Sequence, residues 1–127
     1  MTIIIKIFER EFNGLKGSRS ETMVYEVEDE DDFRTQLSKA GSALVVAEFY
    51  GDFCHSSRKL KPVIAQLEQE FLGILFLKID AEKFEDLTDE YDIRKLSTFL
   101  FIRDIKLLDF YFGSDVEYIR ELIRKYK

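Results

Sequence analysis

The chain predicts one α/β domain in which a mixed central sheet carries helices on both faces, preceded by a short N-terminal extension. Three observations carry that expectation. From Thr22 onward, strand-like and helix-like segments alternate. The run Ala43-Leu44-Val45-Val46-Ala47-Glu48-Phe49 is apolar but for its glutamate, as a central strand covered on both faces should be. Two further runs, Thr98 to Arg103 and Lys106 to Phe112, are separated only by Asp104-Ile105, a gap that an antiparallel hairpin alone can bridge. At 127 residues there is room for one domain with a real core. The boundaries read 1–21 for the extension and 22–127 for the domain.

The elements follow in order. Ile3-Ile4-Ile5-Lys6-Ile7-Phe8 is β-branched and strand-like, although Ile4, Ile7, Phe8 and Phe12 also fall at helical spacing, so its type stays open. Asn13-Gly14 and Gly17-Ser18 break the chain; the extension could add an edge element or dock on a partner. Met23 to Val27 reads as a short strand, and Phe33 and Leu37 mark a helix over about 31–40 ended by Gly41. After the strand over 43–49, Leu60, Val63, Ile64, Leu67 and Phe71 repeat at helical spacing up to Gly73. Ile74 to Ile79 is the third strand of the domain, with a short helix over about 82–91. Val116, Ile119, Leu122, Ile123 and Tyr126 line a last helix after the hairpin. Three parallel strands with the hairpin antiparallel beside them is the expected sheet.

Composition narrows the function classes. Apolar residues at 46% and charged residues at 35% belong to an ordinary globular domain. A formal charge of −6 disfavours nucleic acid or an anionic membrane as the main partner. Much of it sits in Glu28-Asp29-Glu30-Asp31-Asp32, where it suits the positive end of the next helix. One cysteine excludes a disulfide or multi-thiolate metal site within the chain, so no metal and no bound cofactor are expected. No run reaches the ~20 apolar residues of a membrane span, and the charged start is no secretory signal. A reduced, cytoplasmic setting is the expectation.

The central strand runs into Phe53-Cys54-His55-Ser56-Ser57, and Pro62 interrupts the amphipathic segment beyond. Glu48 stands six residues before Cys54, Asp80 ends the third strand, Tyr91-Asp92-Ile93-Arg94 leads into Ser97-Thr98-Phe99, and Gly113 follows the hairpin. In order and spacing, residues 22–127 resemble the thioredoxin family, animal cytosolic type. The resemblance implies a thioredoxin fold. It matches Cys54 to the attacking cysteine, Ser57 to the resolving one and Glu48 to a buried acid, while Phe53, His55, Leu96, Ser97 and Thr98 fall on the substrate groove. Ser57 stands where the family has its second thiol, and Phe53 where it has tryptophan. Ser97 stands where the family has a cis-proline. Because a cis bond before a non-proline residue costs ~3–4 kcal/mol, Leu96–Ser97 is expected to be trans and the groove rebuilt.

The chemistry implied is correspondingly reduced. Disulfide reduction of the family type needs one thiol to attack and a second to resolve the mixed disulfide, and a serine hydroxyl cannot resolve it. The reading is an atypical thioredoxin-like protein with a Cys-x-x-Ser motif that is not a self-sufficient dithiol reductase. Cys54, at a helix N-terminus, could serve as a lone thiolate, tuned by the His55 imidazole and by a hydrogen bond from Ser57. Protein clients would be its partners and glutathione a co-substrate, the chain being a monomer or weak dimer. The alternative is a redox-inactive interaction module that uses the former substrate groove. Glu48 would either bond a lysine such as Lys78 or be reached by solvent. Phe53, Phe84, Phe99 and Phe101 are expected to be partly exposed near the groove.

Overall fold

The computed structural model describes residues 24–53 and 55–127. The strand-like run Ile3–Phe8, the rest of the extension, Met23 and Cys54 lie outside the described residues. The elements run β1 Tyr25–Glu26, α1 Glu30–Ala40, β2 Val45–Tyr50, α2 His55–Glu70, β3 Leu75–Asp80, α3 Glu85–Glu90, β4 Thr98–Arg103, β5 Lys106–Phe112 and α4 Val116–Tyr126. The strands form one sheet in the order β1-β3-β2-β4-β5. β1 and β2 run parallel to β3, β4 is antiparallel to β2, and β5 is antiparallel to β4. This is the expected mixed sheet, with β2 at its centre.

Alternation along β2 sorts the core into two layers. Val45, Ala47 and Phe49 join Phe33, Leu37 and Ala40 of α1 and Leu87 of α3 on one face. Val46 points the other way, with Phe76, Phe99 and Phe101, toward Leu60, Ile64 and Leu67 of α2 and Ile119, Leu122 and Ile123 of α4. A side chain of this size buried from water stabilises by roughly 1.5–3 kcal/mol, so both helix pairs are held by their apolar stripes. Phe99 and Phe101 are wholly buried and Phe84 nearly so, against the expectation of partial exposure. β4 is flanked by strands on both sides and covered on both faces, which leaves no route to solvent.

Local chemistry explains the element ends. Asp29 caps α1 by accepting from Asp32 N at 2.7 Å, and the first turn carries Glu30, Asp31 and Asp32, so the acidic block serves a helix start. Gly41, at φ +55°, ends that helix in a region that costs glycine least. The hairpin turn places Asp104 and Ile105 at φ +54° and +65°, the two left-handed residues of a two-residue loop matched to strand twist. Some bounds differ from expectation. α2 stops at Glu70, before Gly73, and α3 spans only Glu85–Glu90 because Lys83 and Phe84 donate back to the Asp80 carbonyl in a turn.

Candidate functional site

The C-terminal end of β2, the start of α2 and the turn before β4 converge at one end of the sheet. Gly51 leaves β2 where a Cβ would meet Phe53 Cε1 at 2.7 Å and Leu96 Cδ1 at 2.9 Å, so the backbone there passes against two groove side chains. Phe53 is 65% exposed and His55 is exposed at the first position of α2. Arg58 Nη1 donates to the Asp52 carbonyl at 2.8 Å, tying the loop to the helix. The first turn of α2 holds no acidic residue, so no side-chain carboxylate there offsets the positive end of its dipole. Cys54, between Phe53 and His55, is outside the described residues.

Beneath this loop lies a buried polar chain. The Ser57 and Ser97 hydroxyl oxygens are 2.7 Å apart, and Gly51 N–H donates to Ser57 Oγ at 3.3 Å. Ser97 also hydrogen-bonds the Glu48 carboxylate. Contrary to expectation, the Leu96–Ser97 peptide is cis. The trans expectation weighed the local preference of a non-proline bond alone; in the fold Ser97 is fully buried, bonds Ser57 through its hydroxyl, and accepts from Gly113 N at 3.0 Å through its carbonyl. Thr98 Oγ1 closes the same turn on the Lys95 carbonyl. Side-chain and backbone hydrogen bonds thus hold the turn in the place of a proline ring.

Glu48 is 2% exposed, which overturns the reading that solvent reaches it. Lys78 faces it across the β2–β3 register, while its Nζ stands 4.2 Å from the Tyr50 ring centroid. Burial pushes the Glu48 carboxyl up to about 7; the Lys78 charge and the Ser97 bond pull against that rise, and Glu26 adds to it. Its Oε2 has no hydrogen-bond partner among the described residues, an expensive state for an ionised group. Tyr50 OH donates to Glu26 Oε2 at 2.7 Å, and burial, then this bond, raises the phenol.

Valence fixes the sense of the chain. A carboxylate only accepts, and a hydroxyl has one proton to give. With Glu48 ionised, Ser97 donates to it and Ser57 donates to Ser97, so neither hydroxyl has a further proton to give. A neutral Glu48 can donate to Ser97, and both hydroxyls can then turn outward.

The structure brings Glu48, Ser57 and Ser97 into one network and sets Phe53 and Leu96 around Gly51. Thr98 is 5% exposed with its hydroxyl used internally, so it offers the groove no hydroxyl. Gly51 escaped the sequence reading; its only signal was a glycine between an apolar strand and Phe53. Among the described residues, no helix is long and apolar enough to cross a membrane.

The family model for thioredoxin matches residues 24–125. Thioredoxin-T of Drosophila melanogaster is 32% identical over 105 residues, covering 82% of this chain and 67% of that protein. Thioredoxin of Ophiophagus hannah is 30% identical over 104 residues, covering 82% and 99%. Among solved structures, the thioredoxin of Fasciola hepatica superposes with a TM-score of 0.80 at 25% identity, covering 82% of this chain and 100% of that one.

Proposed function

Because the chain belongs to the thioredoxin family, whose chemistry supports a thiol–disulfide redox role, we propose that it performs this role with one thiol, Cys54, and is not a self-sufficient dithiol reductase. The observation that carries the proposal is the state of Ser57. Buried to 6% exposure and bonded to Gly51 N and Ser97, it fills the resolving position with a hydroxyl that forms no disulfide. The Cys54 thiolate attacks the sulfur–sulfur bond of a client–glutathione mixed disulfide. A Cys54–glutathione bond forms, and the electron pair of the broken bond leaves on the client sulfur. A second glutathione thiolate then attacks that adduct, releasing Cys54 and oxidised glutathione. In sum one free glutathione thiol is consumed, the client thiol is released, and the disulfide bond passes from the client to oxidised glutathione. Protein clients and glutathione are the partners of this reading, in the cytoplasm, with the chain a monomer or weak dimer.

The test is the alkylation rate of Cys54 against pH, which needs no assignment because the chain has one cysteine. A thiol pKa below about 7.5 supports an activated thiolate; a value at or above about 8.5 overturns it. A second reading, a redox-inactive interaction module, is favoured by Phe53, exposed beside Leu96 at the groove. Under it, the Cys54→Ser protein keeps its function and its partner, whereas the monothiol reading requires loss.

A further inference from the structure

β5 is an edge strand that pairs with β4 and, among the described residues, with no other strand. Its side chains are wrong for a free edge. Leu107, Leu108, Phe110 and Phe112 are 47%, 37%, 61% and 52% exposed, on a strand of seven residues. Edges left open are normally short, charged or bulged. β5 has a bulge at Leu108, where the register with β4 shifts, and carries Lys106 and Asp109. Yet it is seven residues long and keeps these apolar side chains outward. Phe110 and Phe112 sit opposite Leu100 and Thr98, on the face of the sheet that α1 and α3 cover elsewhere. Lys95 Nζ, 5.0 Å from the Phe112 centroid, shields only part of it.

We infer that the segment Ile3–Phe8 of the same chain adds a sixth strand, antiparallel to β5, on this edge. One register matches both charge and shape. Setting Lys6 opposite Asp109 places Ile5 against Phe110, Ile4 against Tyr111 and Ile3 against Phe112. Aromatic side chains then meet β-branched ones across the strands, and opposite charges face each other. The hydrogen bonds that Asp109 receives from Phe110 N and Tyr126 OH come from neutral donors, so a lysine brings it a countercharge. Leu108, the bulge residue, has no partner on β4; the same register sets Ile7 against Leu108 and Phe8 against Leu107.

Chain path agrees. Lys106 pairs with Arg103, Ile102 with Val45, Val45 with Leu75, and Tyr25 with Leu77, so β5 and β1 begin at the same end of the sheet. In the antiparallel register the segment leaves β5 at that end. The linker Arg10–Met23, fourteen residues with two glycines, spans up to ~46 Å, and the five spacings from a sixth strand beyond β5 to β1 come to ~24 Å. The other edge, β1, is two residues long with Glu26 exposed and has no apolar face to cover. A second copy fits less well, because β5 paired with itself about its centre sets Asp109 against Asp109, like charges opposed. None of this depends on Cys54.

The test uses the full chain in a Cys54→Ser background carrying Ile5→Cys and Phe110→Cys, mildly oxidised. A disulfide within one chain, absent from the off-register pair Ile5→Cys with Leu107→Cys, is the expected result. A disulfide between chains, or none, overturns the inference. Independently, hydrogen exchange of the outward amides of β5 should be at least about tenfold slower in the full chain than in one lacking residues 1–12; equal rates overturn it.

Discussion

Ser57 and Ser97, forty residues apart in sequence, bring their hydroxyl oxygens within 2.7 Å in the interior. Both stand where the family resemblance places other residues, a thiol and a proline. Together they link the loop at Gly51 to the acid of the central strand. The substitution at one position therefore has its physical partner in the substitution at the other.

Ser97→Ala is expected to destabilise by about 1–3 kcal/mol, since it strands a buried hydroxyl and a buried carboxyl. It should also raise the Glu48 carboxyl further, because the Ser97 bond is one of two influences that lower it. Urea unfolding checks the first effect and carboxyl titration by NMR the second.

Glu48 is expected to make stability fall as pH rises. Its carboxyl titrates near 7 in the fold against an ordinary 4.5, so between those values the native state holds a proton that the unfolded chain has released. The contribution is fully present below about 4.5 and lost as pH rises through about 7; its size is roughly 3 kcal/mol. Glu48→Gln should abolish this component, so the difference in urea midpoint between the two proteins should change between pH 5 and pH 8 in favour of the variant at pH 8.

Ser57→Cys is expected to restore a resolving thiol. The oxidised variant should be 2 Da lighter than the reduced one and should reduce insulin catalytically with dithiothreitol, whereas the native chain is expected to form mixed disulfides alone. Mass spectrometry and insulin turbidity provide the check.

Asp115→Ala is expected to cost about 1 kcal/mol, because the Asp115 carboxylate accepts from Glu117 N and Tyr118 N at the start of α4. Thermal unfolding should register the loss, while the Cys54 alkylation profile stays unchanged because α4 does not contribute to the site.

The β4–β5 hairpin was legible to the residue, since period-two patterning and a two-residue gap leave a single solution. That three strands run parallel with the hairpin antiparallel beside them followed from crossover handedness, whereas the order β1-β3-β2-β4-β5 was not legible in the sequence. Exposure of the aromatics was not legible: β4 and β5 are equally apolar, yet only position in the sheet leaves Phe110 and Phe112 open while burying Phe99 and Phe101. The geometry of Leu96–Ser97 escaped for a related reason. Local preference is a property of one peptide bond, while the hydrogen bonds that hold this one come from Ser57 and Gly113.

The chain from Glu48 through Ser97 to Ser57 is expected to answer a proton by turning hydroxyls, with the packing left alone. Ile79, Phe99 and Leu60, each at most 2% exposed, can keep their places while the dipoles beside them reverse. The two titration states of this protein are therefore expected to share one heavy-atom outline and to differ in where hydrogens point. A density map would superimpose them; neutron scattering lengths or hydroxyl resonances would tell them apart.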